Sequence, residues 1–183
     1  KPVTLSPGET RELAELADAS QRILMVGFNR RYAPLHQRAR EYWGNRKVEQ
    51  AVFTKLRTHP FHDAARAHMY DDTIHLVDAL RFYCGEGRVV HREIRSYGNL
   101  TSATALIALD DGGIAQVVTT MRAGQWREHY LLAGDGLTLE VDAFQRLRIS
   151  QGDEQRNWRE DYDSGKDTFT GRGFKPEIDY FLD

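Results

Sequence analysis

A serial run of short apolar segments between residues 90 and 150 limits the possible folds of this chain more than any other feature. Six segments are separated by turn signals, and they are residues 90–97, 102–109, 114–121, 128–133, 137–141 and 147–150. Two of the turns, Asp-Asp-Gly-Gly at 110–113 and Gly-Asp-Gly at 134–136, favour hairpins because glycine and aspartate tolerate positive φ. The run therefore predicts a mainly antiparallel sheet of about six strands.

The segments on either side of this run predict helices and further strands. Ser6, Pro7 and Glu9 are typical of a helix start, and apolar residues at helical spacing follow. Residues 22–28 form a continuous apolar run, which predicts a strand buried on both faces. An amphipathic helix over 35–43 and a strand over 48–58 come next. Residues 151–170 predict a loop or a weak edge strand, and a helix follows from residue 174.

Residues 69–85 predict a buried helix that carries three polar side chains. Asp71, His75 and Asp78 are spaced by four and by three, so a regular α-helix would hold them on one side and within reach of each other. A carboxylate beside an imidazole can orient the ring and raise its pKa, which is the outline of an acid–base site. The alternative is structural: acidic residues at a helix N-terminus and a histidine satisfied in the core.

Composition excludes several classes of function. A formal net charge of -2 gives no electrostatic case for binding nucleic acid or an anionic membrane surface. No apolar run approaches the ~20 residues needed to span a bilayer. Cys84 is the only cysteine, which indicates no disulfide framework and fits a reducing, cytoplasmic compartment.

Metal and phosphate sites are weakly indicated. His59, His62, His68 and His75 lie within seventeen positions, but their spacing lacks the i, i+4 pattern of a helical zinc site, and no metal site is predicted. No Gly-x-Gly-x-x-Gly motif occurs, so these residues cannot bind a dinucleotide pyrophosphate in the usual way.

Three separated segments together resemble the Gfo/Idh/MocA family of nicotinamide-dependent oxidoreductases. They are Lys1-Pro2 with the residues 26–34 (Val-Gly-Phe-Asn-Arg-Arg-Tyr-Ala-Pro), the Asp71/His75/Asp78 helix, and the run of strands after it. Residues 122–124 (Arg-Ala-Gly) and 171–174 (Gly-Arg-Gly-Phe) further resemble the MviM-like subfamily. The resemblance covers the whole chain and implies that the protein is truncated at both ends.

The resemblance implies an α+β fold with helices on one face of the sheet, preceded by the last helix and strand of a Rossmann domain. Residues 1–28 would be the remnant of that dinucleotide-binding domain, and residues 29–183 the substrate-binding and oligomerisation domain. The other face of the sheet would be the interface of a homo-oligomer. NAD or NADP would be bound mainly by residues outside this chain.

The resemblance also implies roles for individual residues. Lys1 would lie beside the nicotinamide and the reacting carbon, His75 would be the acid–base residue, and Asp71 would orient it. A lysine ammonium that stabilises a developing alkoxide fits this chemistry.

The resemblance further implies a set of binding residues. Asn29 and Arg30 would contact substrate, Asp78 would be a further polyol contact, and Pro2 and Arg31 would join Lys1 near the cofactor.

Two main functions are therefore expected. The first is a sugar, cyclitol or polyol oxidoreductase dependent on NAD or NADP, of which this chain is a domain that is inactive alone. The second is an inactive sugar-binding or assembly module on the same scaffold. A metal-dependent hydrolase that uses the histidine-bearing loop is a more distant alternative.

Overall fold

A computed structural model describes residues 1–60, 65–97, 100–160 and 167–183. Its centre is one eight-stranded sheet with the order β2-β3-β4-β1-β5-β6-β7-β8. The strands are β1 (Gln50–Leu56), β2 (Gly87–Tyr97), β3 (Leu100–Leu109), β4 (Ile114–Thr120), β5 (Arg127–Gly134), β6 (Leu137–Asp142), β7 (Arg146–Gln151) and β8 (Glu154–Arg159). All neighbouring strands are antiparallel except β1 and β4. The predicted mainly antiparallel α+β fold is confirmed.

In the part of the chain that the structure describes, six helices accompany the sheet. They are α1 (Pro7–Ala19), α2 (Pro34–Trp43), α3 (Ala65–His68), α4 (Ile74–Cys84), α5 (Thr168–Gly171) and α6 (Phe174–Leu182). A 3₁₀ turn, Asn29–Tyr32, precedes α2, and a π-helical turn, Met69–Thr73, joins α3 to α4. The predicted buried helix thus begins before Met69 and contains a π turn, which the apolar pattern did not indicate.

The core lies between one sheet face and the helices α2 and α4. Strands β4 to β7 bury alternate residues, as a sheet covered on one face requires. Trp43 of α2 and Leu76 of α4 pack with Phe53 and Tyr130 of the sheet in one hydrophobic cluster. Burial of these large side chains stabilises the domain and fixes both helices above the centre of the sheet.

The two glycine-rich turns form the predicted hairpins. Residues 110–113 connect β3 to β4, and residues 135–136 connect β5 to β6. Asp135 and Gly136 both have positive φ, 47° and 72°. This geometry suits a tight two-residue turn between antiparallel strands.

The strand predicted over residues 22–28 is not formed, and this prediction is corrected. These residues pair with no strand, and Ile23 and Leu24 are 77% and 45% exposed. Helix α1, which is confirmed and is capped by Ser6, buries none of its residues. An apolar strand needs partners for its backbone groups and side chains, and nothing described in this chain supplies them.

Two predictions near the C-terminus agree with the structure. The polar segment after residue 151 forms β8 as an exposed edge strand, one of the two alternatives expected there. The predicted terminal helix is confirmed as α6. Its apolar residues are left largely exposed, and Ile178 and Leu182 are 56% and 74% exposed.

Candidate functional site

A polar cleft of about 550 Å³ opens where the first residue, the 3₁₀ turn, the end of β1, the π turn and the α5–α6 loop meet. The residues that line it are Lys1, Asn29, Arg30, Lys55, Arg57, Asp71, Asp72, His75, Trp126, Phe144, Arg172 and Phe174. Five of the residues singled out in the sequence lie in this one cleft. They are Lys1, Asn29, Arg30, Asp71 and His75.

His75 stands on the first turn of α4 and is partly buried. Burial lowers the pKa of its imidazole to about 2, and the positive charges of Arg30, Lys55 and Lys1 add to this effect. The ring meets the ring of Phe28 edge-on at a centroid distance of 6.2 Å. His75 is therefore neutral at ordinary pH and can accept a proton from a ligand in the cleft.

The geometry around His75 differs from the prediction for the helix. Its Nδ1 atom is buried and has no hydrogen-bond partner in the part of the chain that the structure describes. Asp71 lies on the exposed side of the π turn, where residues four apart no longer stack as they do in an α-helix. The two side chains share the cleft, but Asp71 does not hold the imidazole through Nδ1.

Asp78 and Arg31 lie away from the cleft lining. The Arg31 guanidinium donates to both carboxylate oxygens of Asp78, with Nε–Oδ distances of 2.9 and 3.0 Å. Asp78 is 6% exposed, and the Arg31 guanidinium also lies 5.8 Å from the centre of the Phe82 ring. This ion pair connects the 3₁₀ turn to α4, and Asp78, unlike Asp71 and His75, is not part of the cleft lining.

Lys1, the first residue of the chain, lines the cleft close to Phe28. Its Nζ lies 5.4 Å from the centre of the Phe28 ring, the same ring that His75 contacts. Partial burial lowers the pKa of the ammonium, while the Glu177 carboxylate acts in the opposite direction. Pro2 follows Lys1 but is not part of the cleft lining.

A buried charge network beneath the cleft was not anticipated. Lys55 Nζ lies 2.9 Å from Asp72 Oδ1 and 3.2 Å from Glu128 Oε2. Glu128 also accepts two hydrogen bonds from the Arg30 guanidinium, one of them 2.7 Å long, and one of 2.5 Å from the Tyr130 hydroxyl. These cations hold the pKa of Glu128 well below its usual range despite complete burial.

The network continues to the surface through Asp72. Its carboxylate forms an ion pair with Arg57, and His68 Nε2 lies 3.4 Å away. The hydrogen bonds and charges of Arg57 and Lys55 lower the pKa of Asp72. The cations below the cleft are thus fixed in position by carboxylates.

The strand pattern contained a signal for this network. In β1, Lys55 follows Ala51 and Phe53 in alternation, and both of those residues are buried. In β5, Glu128 has the same relation to Tyr130, and Lys55 and Glu128 are direct cross-strand partners. A charged residue in the core phase of each of two strands predicts a buried pair, but their adjacency depends on strand order.

The histidine cluster does not form a metal site in the described residues. No group of three or more histidine, cysteine or acidic side chains arranged to bind a metal occurs among them. His62 lies outside the described residues.

In the part of the chain that the structure describes, no helix is both long and apolar enough to cross a lipid bilayer.

Comparison with known proteins supplies relatives for the fold. No protein-family profile matches the chain. YceM of Salmonella typhimurium, an inferred oxidoreductase, is 29% identical over 199 residues, which cover all of this chain and 59% of that protein. The chain thus spans less than two thirds of the length of this curated relative.

Solved structures resemble the whole chain more clearly. The dehydrogenase MviM from Clostridium difficile has a TM-score of 0.87 at 19% identity, and a Gfo/Idh/MocA family oxidoreductase from Vibrio cholerae has 0.80 at 19%. GenD2 from gentamicin A biosynthesis, in complex with NAD, has 0.79 at 22%. Each comparison covers 100% of this chain and 59–60% of the other. They confirm the predicted resemblance at the level of the fold.

Proposed function

This chain has the C-terminal α+β fold of the Gfo/Idh/MocA oxidoreductases, and we propose that it is the substrate domain of a nicotinamide-dependent dehydrogenase. The substrate would be a secondary alcohol of a sugar, cyclitol or related polyol. The observation that carries the proposal is the convergence of Lys1 and a neutral His75 in one polar cleft. The domain would be inactive alone.

The chemistry follows from the charge of the two side chains. The neutral His75 imidazole accepts the proton of the substrate hydroxyl as the carbinol carbon loses a hydride and becomes a carbonyl. The Lys1 ammonium, which lines the same cleft as Lys55, stabilises the negative charge that develops on the substrate oxygen. Asn29 and Arg30 would contact the substrate, because both line the cleft next to these groups.

A nicotinamide cofactor, NAD or NADP, supplies the hydride acceptor when it is bound. The residues present fit only its nicotinamide end, because Lys1 is in the cleft and the chain has no glycine-rich phosphate loop. Lys1 would approach the nicotinamide, and Pro2 and Arg31 are further candidates from the resemblance. GenD2, which has the same fold, is known in complex with NAD.

The rest of the cofactor site would belong to a dinucleotide-binding domain of which residues 1–28 form the last part, with residues 29–183 as the substrate domain. The uncovered apolar side chains of this segment support the proposal. Leu16 of α1 is 63% exposed and Ile23 is 77% exposed. Such a surface is expected to pack against further structure.

A homo-oligomer formed through the open sheet face is part of the same proposal. That face carries half-buried apolar side chains on its central strands, among them Val52, Leu106, Val118 and Leu131. Half-buried apolar side chains on an uncovered sheet face suit an interface. We also infer a cytoplasmic location, since the single Cys84 fits a reducing compartment.

One observation favours the second candidate, an inactive sugar-binding or assembly module. The Nδ1 atom of His75 has no hydrogen-bond partner among the described residues, and Asp71 does not orient the ring through it. An acid–base histidine usually has its second nitrogen fixed by such a partner. The inactive module would keep the cleft and its sugar contacts without the hydride transfer.

The test uses the full-length protein. Tryptophan fluorescence would measure the binding of NADH and NADPH, and reduction of the preferred cofactor would be followed with a panel of polyols and sugars. We expect turnover, and a loss of about 10²–10⁴-fold in kcat in both His75→Ala and Lys1→Ala. His91→Ala is the matched control, because His91 is exposed on the edge strand β2 and lies outside the cleft. Cofactor binding without turnover on any polyol would favour the inactive module.

A further inference from the structure

The loop between α5 and α6 contains an arginine that the proposed chemistry does not use. Residues 171–174 are Gly-Arg-Gly-Phe, and Arg172 lines the cleft together with Phe174. The Arg172 carbonyl oxygen accepts a hydrogen bond of 2.8 Å from Asn29 Nδ2. This bond ties the loop to the 3₁₀ turn.

Gly173 fixes the position of the loop further. Its φ is +82°, and a Cβ added there would collide with the Asn29 carbonyl oxygen and lie 2.6 Å from the Ala33 nitrogen. The backbone beside Arg172 is therefore in close contact with the 3₁₀ turn. Arg172 is held at the cleft by packing, although its side chain is exposed.

The cations of the cleft differ in whether they are neutralised. Arg30 and Lys55 are paired with Glu128, and Arg57 and Lys55 with Asp72. By contrast, the guanidinium of Arg172 forms no ion pair or hydrogen bond with any residue that the structure describes.

The cleft as a whole carries an excess of positive charge, like Arg172 itself. Five cationic side chains line it, namely Lys1, Arg30, Lys55, Arg57 and Arg172, against the carboxylates of Asp71 and Asp72. Three further acids act on these cations, namely Glu128 on Arg30 and both Glu177 and Asp78 on Lys1, and Asp78 is itself paired with Arg31. Positive charge remains in excess when these three acids and Arg31 are included, and His75 is neutral.

We propose that the substrate is an acidic sugar or polyol, and that Arg172 binds its carboxylate or phosphate group. A guanidinium matches either anion with two parallel hydrogen bonds. This inference rests on the proposed function, because it assigns a substrate class to the same site. Arg172 is thus a specificity-determining residue, while His75 and Lys1 act at the reacting alcohol.

The experiment compares matched neutral and acidic substrates with the full-length enzyme. Glucose, glucuronate and glucose 6-phosphate share a ring and differ in the charge at one end, and the kcat/KM of each would be measured for wild type, Arg172→Gln and Arg172→Lys. Arg88→Gln is the control, because Arg88 is exposed on β2 and far from the lining. Isothermal titration of the three sugars in the presence of NADH would give affinities that do not depend on turnover.

We expect an acidic member to be preferred, and Arg172→Gln to lower its kcat/KM about 10–100-fold with little change for glucose. Arg172→Lys should keep part of the preference, because it retains the charge but not the bidentate geometry. The affinity for NADH should stay constant in all three variants.

Three results would overturn the inference. Equal losses for neutral and acidic substrates would make Arg172 a general positioning residue. A loss of NADH affinity alone would assign the anion to the cofactor. Turnover of glucose without any preference for either acid would reject the substrate class and leave the proposed dehydrogenase intact. Binding of an acid that depends on Arg172, without turnover, would instead support this inference and reject the dehydrogenase.

Discussion

At the scale of single residues, the cleft combines a neutral imidazole with several fixed cations. Because burial and positive neighbours act on His75 in the same direction, its pKa lies at about 2, well below the ordinary value near 6.5. A group with a lowered pKa stays deprotonated as the pH falls, until the pH reaches that value. His75 therefore stays neutral over the whole physiological range, and its lone pair is not lost to protonation there.

This gives a prediction for the pH dependence of the full-length enzyme. With a neutral polyol, kcat/KM for oxidation should show no loss from protonation of His75 between pH 8 and pH 5. A histidine with an ordinary pKa would lose roughly 30-fold over that range. The measurement is a pH–rate profile for wild type and His75→Gln. An acidic limb near pH 6.5 that is absent in His75→Gln would contradict the assignment.

At the scale of elements, the cleft depends on how closely the start of α6 packs on the 3₁₀ turn. Gly173 has no space for a side chain at this contact, whereas Gly136 in the β5–β6 turn has a similar φ of +72° and no atom within 4 Å of an added Cβ. The two glycines thus separate the cost of a left-handed backbone from the cost of a collision.

We expect Gly136→Ala to lower the free energy of unfolding by about 1 kcal/mol, the cost of positive φ alone. Gly173→Ala should cost about 1–3 kcal/mol more, because the 3₁₀ turn must also move. Urea unfolding measures both variants, and in the enzyme Gly173→Ala should also raise KM. Equal losses in the two variants would show that the loop does not pack tightly on the turn.

At the scale of the whole molecule, one end of the chain is unlike the rest. The sheet, α2 and α4 enclose a continuous core, whereas α1 and residues 22–28 leave apolar side chains in solvent. This difference carries the proposal that residues 1–28 belong to a dinucleotide-binding domain.

The proposal predicts opposite outcomes in two lengths of the protein. Leu16→Lys and Ile23→Lys should change the free energy of unfolding of the 183-residue chain by no more than about 0.5 kcal/mol, because both sites are exposed. In the full-length protein each should cost about 2 kcal/mol or more, since a buried apolar contact is replaced by a charge. Gln155→Lys, at an exposed polar site on the edge strand β8, should be neutral in both. Thermal unfolding of the three variants decides this, and neutrality in the full-length protein would reject the domain assignment.

The sequence by itself determined the antiparallel sheet, its two glycine hairpins, the helices over the core and the resemblance that pointed to Lys1 and His75. These features depend on local periodicity, turn chemistry and short motifs, which are all readable along the chain. Only the tertiary structure decided which polar groups meet. The π turn separated Asp71 from the Nδ1 of His75, Arg31 took Asp78 into an ion pair, and strand order brought Lys55 beside Glu128. Contacts between residues up to 143 positions apart, such as Asn29 with Arg172, arise from the packing of whole elements, and no local pattern encodes them.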